Sequence, residues 1–125
     1  MHELSIAASI VEQATEHCHH AGGTRVTTIT LRIGRLAGIH PAALRFGFDL
    51  VAADTPLADA ALTIVEVPVR VWCPACSAEV ELPGLQRFAC PGCGLPTGEI
   101  RAGRELEIES LTLEGHGKPS PEPVR

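Results

Sequence analysis

Apolar residues recur along this chain in two periods, and the switches between them mark its elements. From residue 3 to residue 20 the period is helical. Leu4, Ala7, Ala8, Val11 and Ala14 share a stripe that Ile6 and Ile10 widen. Ala21-Gly22-Gly23 ends this helix, because glycine adopts the backbone conformation that a helix C-terminus needs. From 25 to 33 the period becomes two, with Ile29, Leu31 and Ile33 on one face and Thr28, Thr30 and Arg32 on the other, which predicts a strand. Gly34 to Gly38 is a turn region. His40-Pro41 then opens a second helix, to about Ala53, with proline in the first turn where its missing N–H is not needed. Its expected buried stripe is Leu44, Gly47, Phe48 and Val51, and Asp54 to Asp59 is an expected loop. Residues 61–72 read as a second strand through Leu62, Ile64, Val67, Val69 and Val71, although Pro68 implies an edge position or a bulge. Glu105 to Glu114 reads as a third strand. Its apolar phase shifts between Leu106, Ile108 and Leu111, Leu113, as a bulge near Glu109-Ser110 would produce.

These elements predict an α+β fold, a small antiparallel three-stranded sheet with two helices. A cysteine-bearing segment is inserted between the second and third strands. The expected organisation is one domain from 1–71 with 102–114, a metal-binding domain at 72–101, and a tail at 115–125. The tail has no apolar periodicity and is expected to be disordered.

The insert carries Cys73-Pro-Ala-Cys76 and Cys90-Pro-Gly-Cys93, two C-x-x-C pairs with thirteen residues between them. That is the spacing of a four-cysteine zinc module. Each pair can form a tight knuckle that turns two thiolates onto one metal. Pro74 and Pro91 stiffen the knuckles, and Gly94 supplies permissive backbone after the second. Four thiolates leave no open coordination position, so the site is expected to hold structure and do no chemistry. A single iron would also accept four thiolates in a tetrahedron. Two disulfides would require an oxidising compartment, and no secretory signal is visible, since Glu3, Glu12 and Glu16 interrupt the apolar start. A thioredoxin-like redox site would use one pair, not two matched ones.

Composition narrows the function classes. Fifteen acidic residues against ten Lys and Arg leave a net charge of −5, and aromatics are scarce. A nucleic-acid reader built on the cysteine module would need a basic patch. Arg70, Arg87, Arg101 and Arg104 are instead offset by Glu79, Glu81, Glu99 and Glu105. A metal hydrolase would need an open three-ligand site with a general base, and no H-E-x-x-H or similar cluster occurs. No apolar run approaches a membrane span, and the default location is cytoplasmic.

The chain start offers different chemistry. Met1 is expected to be retained, because His2 is too large for the usual removal of the initiator. A metal held by the Met1 amine and the deprotonated His2 amide closes a five-membered ring. The same amide and His2 Nδ1 close a six-membered one. Three such nitrogens occupy three corners of a square plane, which Ni(II) or Cu(II) favours. The fourth corner is open to the Glu3 amide, the Glu3 carboxylate or a distant side chain. The alternative is that His2 is a polar residue before a helix, with Glu3 near the helix's positive end.

Met1-His-Glu-Leu-Ser-Ile6, Leu31-Arg-Ile-Gly-Arg-Leu-Ala-Gly38, Pro41-Ala-Ala-Leu-Arg-Phe-Gly-Phe-Asp-Leu50, the two cysteine pairs, and Gly103-Arg-Glu-Leu-Glu-Ile-Glu-Ser110 together resemble the HypA/HybF hydrogenase maturation proteins, in order from residue 1 to about 114. The resemblance implies a nickel metallochaperone rather than an enzyme. It implies Ni(2+) held by Met1 through its backbone, His2 and Glu3, and Zn(2+) ligated by Cys73, Cys76, Cys90 and Cys93. It further implies delivery of nickel to the large-subunit precursor of [NiFe]-hydrogenase, together with a HypB-type GTPase. Some family members also assist urease, and members occur as monomers or as homodimers. One position departs from the family pattern. Family members often carry an acidic residue before the proline that opens the second helix, and here it is His40. His40 is therefore an auxiliary nickel contact, a cap for that helix or an exposed side chain. His17-Cys18-His19-His20 ends the first helix, where imidazolium suits the negative pole or where His17 and His20 could share a metal.

Overall fold

The computed structural model describes residues 2–85, 87–115 and 121–123, without the side chains of His2 and of 121–123. Its elements are α1 (His2–His20), β1 (Gly23–Gly34), α2 (Pro41–Ala52), β2 (Ala61–Val67), β3 (Arg70–Cys73), β4 (Ala78–Glu81), β5 (Ile100–Ala102), β6 (Leu106–Gly115) and β7 (Pro121–Pro123). One sheet has the order β2-β1-β6-β7, and a second has the order β4-β3-β5. The fold is the α+β arrangement expected from the sequence, with the cysteine segment inserted between strands of the first sheet. The chain forms two compact units: Met1–Leu31, Ile39–Val65 and Glu107–Arg125 in the first, and Arg32–Gly38 and Glu66–Leu106 in the second.

In the first unit, α1 buries Ala7, Ile10, Val11, Ala14 and Cys18, and α2 buries Leu44, Phe48 and Ala52. Val26, Ile29, Leu31, Leu111 and Leu113 of the strands complete this core. Each fully buried Leu, Ile or Phe contributes roughly 1.5–3 kcal/mol. α1 closes where expected. The Ala21 N–H donates to His17 O and the Gly22 N–H to His19 O, with Gly22 at φ 79°. The loop after α2 is pinned rather than loose. Leu57 is fully buried, the Leu57 N–H donates to Thr55 Oγ1 at 3.1 Å, and the Val26 N–H donates to Pro56 O at 2.9 Å.

Three local expectations change. Leu4 and Ala8, placed on the buried stripe of α1 by periodicity, are exposed, and Cys18 extends the buried face instead. The strand expected at 61–72 is two strands. Pro68 has no N–H to give a ladder, so β2 ends at Val67 and β3 begins at Arg70 in the other sheet. The sheet of the first unit has a fourth strand, because Pro121–Pro123, within the segment expected to be disordered, pairs antiparallel with Ser110–Thr112. The rest of that tail after Gly115 lies outside the described residues. The apolar phase shift in β6 is seen in its burial, from Ile108 to Leu111. β1 shows a shift of the same size in its own burial, from Val26 to Ile29.

In the second unit, Val69, Val71 and Leu82 form a small buried cluster, flanked by Leu36, Val80, Phe88 and Ile100. The end of β1 joins this unit through the Arg35 N–H to Val67 O at 3.0 Å and the Leu36 N–H to Gly103 O at 2.7 Å. Ile33 and Val67 are also buried in this unit, whose core is still smaller than that of the first.

Candidate metal centre and chain start

The first knuckle is the tip of a hairpin. β3 and β4 pair antiparallel from Arg70↔Glu81 to Cys73↔Ala78, and Cys73-Pro-Ala-Cys76-Ser77 makes the reversal. The Ser77 N–H donates to Pro74 O at 3.3 Å, and Ser77 takes a left-handed backbone, φ 50°. The second knuckle repeats this plan. The Gly94 N–H donates to Cys90 O at 2.8 Å, with Gly94 at φ 80°. The residue after each pair thus carries the left-handed turn. Glycine does so without strain, and serine does so at a cost of roughly 1–2 kcal/mol. The second knuckle closes on itself through the Cys90 N–H to Leu95 O at 2.9 Å and the Thr97 N–H to Phe88 O at 3.0 Å, and it is fastened to β3 through the Trp72 N–H to Glu99 O at 2.9 Å and the Thr97 hydroxyl to Trp72 O. Buried Thr97 is a contributor that spacing does not reveal. The Arg101 guanidinium lies 4.9 Å above the Trp72 ring and pairs with Glu99 at 2.7 Å.

These turns bring four sulfur atoms together. Cys73 Sγ and Cys93 Sγ are 3.6 Å apart, Cys76 Sγ and Cys90 Sγ 3.9 Å, and all four lie within 4.8 Å of one another. Zinc–thiolate bonds of about 2.3 Å directed to the corners of a tetrahedron place sulfurs about 3.8 Å apart. The cluster therefore fits a four-thiolate dication, and no S–S bond is present among these cysteines. Cys73 and Cys90 are buried, while Cys76 and Cys93 are exposed, so each knuckle supplies one inner and one outer ligand. The N–H groups of Cys93 and Gly92 lower the Cys90 thiol to about 7, which favours its thiolate near neutrality. Hydrogen bonds to Cys93, then to Cys73 and Cys90, push the Cys76 thiol up to about 12. Among the described residues, these four are the one group of His, Cys, Asp and Glu side chains close enough to share a metal ion.

At the chain start, Met1 and the His2 side chain lie outside the described residues. α1 begins at His2, and Glu3 is its first-turn acid. The Glu3 carboxylate accepts the backbone N–H of His40 at 3.0 Å. That bond, followed by one from its own N–H, holds the Glu3 carboxyl below the ordinary carboxylate range. His40 is exposed and sits at the N-cap of α2 in extended backbone, with no side-chain capping bond. The structure therefore brings Glu3 and His40 together through the main chain of His40. His17 is half-buried, His19 and His20 are exposed, and Cys18 is fully buried, which pushes its thiol up.

Comparison with known proteins gives one consistent result. Residues 1–113 match a family model described as hydrogenase/urease nickel incorporation, metallochaperone, hypA. The hydrogenase maturation factor HypA of Chloroflexus aggregans is 52% identical over 111 residues, covering 89% of this chain and 97% of its own. The protein of the same description from a Roseiflexus species is 47% identical over 114 residues, covering 91% and 93%. The solution structure of the nickel metallochaperone HypA of Helicobacter pylori superposes with a TM-score of 0.65 at 22% identity, covering 91% of this chain and 98% of that one, which shows a shared fold.

Proposed function

Since this chain belongs to the HypA family of hydrogenase maturation, nickel-incorporating metallochaperones, we propose that it binds Ni(II) at its chain start and passes it to the [NiFe]-hydrogenase large-subunit precursor. The family is one of maturation factors, not catalysts, and its partners belong to hydrogenase assembly. No helix among the described residues is long and apolar enough to cross a membrane, and the proposed setting is the cytoplasm.

The nickel is cargo. The Met1 amine, the His2 amide and the His2 imidazole supply nitrogen donors for a square plane, with Glu3 completing or buttressing it and His40 as an auxiliary contact. Backbone donors at a terminus reorganise at little cost, which suits a metal that must leave again. A HypB-type GTPase is the proposed co-worker in the transfer. The four cysteines are proposed to hold zinc, which would fix the two knuckles and leave no position for substrate. The observation that carries this reading is that the family match starts at residue 1 and runs through both cysteine pairs, so it includes the proposed cargo site and the structural one. The experiment is His2→Ala in cells that depend on this chain. Hydrogenase activity should fall to the level of a strain without it, return with excess nickel, and leave the protein's thermal stability unchanged. Full activity without added nickel would rule out the chain start as the cargo site.

A further inference from the structure

α1 is amphipathic on two sides, and only one side is covered. Leu4 and Ala8 continue the apolar periodicity of the helix, yet Leu4 is 49% exposed. On α2, Phe46 and Leu50, one helical turn apart, are 68% and 57% exposed. Leu4 lies against Gly47, within 3.4 Å of where a Cβ on that glycine would sit, so it borders the stretch of α2 that carries Phe46 and Leu50. Beyond Leu4 the two helices enclose an open groove of about 420 Å³, lined by Ala8, Val11 and Val51 and edged by Glu12 and Glu16. The groove's charged rim is the carboxylates of Glu12 and Glu16, with the His19 imidazole beside them, and α1 carries no Lys or Arg.

We propose that this α1–α2 groove is the docking site for an amphipathic helix of a partner protein, aliphatic on one face and flanked by Lys or Arg. A pair of packed helices presents a groove that accepts a third at the usual 8–10 Å spacing. The stripe from Leu4 to Thr15 is about 16 Å long, enough for three turns of a docked helix. Phe46 and Leu50, exposed on α2 outside the groove lining, have the character of anchors for the same helix, since large apolar side chains dominate such interfaces. Glu12 and Glu16, one turn apart, select for a basic flank and speed encounter with it. Leu4 follows Glu3 directly, so the docked helix lies beside the chain start. Rested on the nickel-carrier reading above, this makes the groove the surface through which the receiving partner reaches the cargo.

The test uses the full zinc-loaded chain and two probes, the HypB-type GTPase and the hydrogenase large-subunit precursor, with affinity measured at low and at high salt. Two variants on exposed positions are compared with wild type: Phe46→Glu with Leu50→Glu, and Glu12→Lys with Glu16→Lys. The expected results are binding of wild type to at least one probe, a weakening of about 30-fold or more in the first variant, and about 10-fold at low salt in the second with a reduced salt dependence. Nickel affinity and melting temperature should not change in either. Equal affinity of wild type and both variants overturns the proposal, as does failure of wild type to bind either probe. A wild type that binds a probe through this groove but holds no nickel would sink the carrier reading and leave the groove standing.

Discussion

The bond from the His40 N–H to the Glu3 carboxylate ties the chain start to the entry of α2, 37 residues later. The carboxyl is held below its ordinary value of about 4.3, because the ionised form accepts this bond and one from its own N–H. The sign follows. A depressed carboxyl favours the folded contact at pH above the ordinary value, and the contact is lost only as pH falls through the lowered one. The amide resonance of His40 should therefore hold steady on acidification until below about pH 4.3 and then shift, and this inflection should vanish in Glu3→Ala. An inflection at or above the ordinary carboxyl value would contradict the contact. At this scale the clustering of the four cysteines was legible, since two C-x-x-C pairs point to one group by spacing alone. Ser77 was not. Gly94 announces a left-handed backbone by its identity, whereas a serine forced into the same turn looks like any loop residue.

Gly47 lies in the contact between α1 and α2. Its missing side chain lets Leu4 and Ala7 approach, and an added Cβ would sit 3.4 Å from Leu4 and 3.6 Å from Ala7, which is ordinary contact. Gly47→Ala should therefore be tolerated and gain up to about 1 kcal/mol from helix propensity. Gly47→Leu should push α1 away and cost roughly 1–3 kcal/mol. Urea denaturation checks both, and equal loss in the two variants would show that the helices are closer than described. The helices, their limits and their inner faces were readable because a period of 3.6 fixes which residues share a direction. The width of the covered face was not readable. Periodicity places Leu4 and Ala8 on an apolar stripe, but only the packing shows that the sheet and α2 leave them in solvent. Pro68 signalled an interruption, and its consequence, a strand that leaves one sheet as its continuation enters another, needed the pairing partners of β3.

Across the whole chain, the two units have unequal means of support. The first has a core of Val, Ile, Leu and Phe from two helices and a sheet. The second has Val69, Val71 and Leu82 with their flanking residues, and a cluster of four thiols. Metal binding of this class supplies roughly 10–16 kcal/mol of apparent folding free energy. Stripping the metal with a chelator, or making Cys73→Ser, should collapse the dispersed amide spectrum of residues 70–102. The helical circular dichroism should remain, since α1 and α2 both belong to the first unit. Unchanged spectra for 70–102 after metal loss would show that the thiols are incidental to that unit. The α+β class and the cysteine insert could be read from order and period. The strand at Pro121–Pro123 could not, because two prolines around one glutamate carry no strand signal, and the segment finds its place only against the edge of β6.

The central claim is that nickel is held by the chain start itself. A terminal amine, a backbone amide and an imidazole make a site that any residue placed before Met1 would destroy, while the cysteine cluster and the fold would be untouched. The most direct measurement is calorimetric nickel titration of two zinc-loaded proteins, one with its native start and one extended by Gly-Ser before Met1. The native protein should bind nickel stoichiometrically and release protons as the amide deprotonates. The extended protein should lose that binding while retaining its zinc and its melting temperature. Equal nickel affinity and equal proton release in the two proteins would place the cargo site elsewhere and contradict the account.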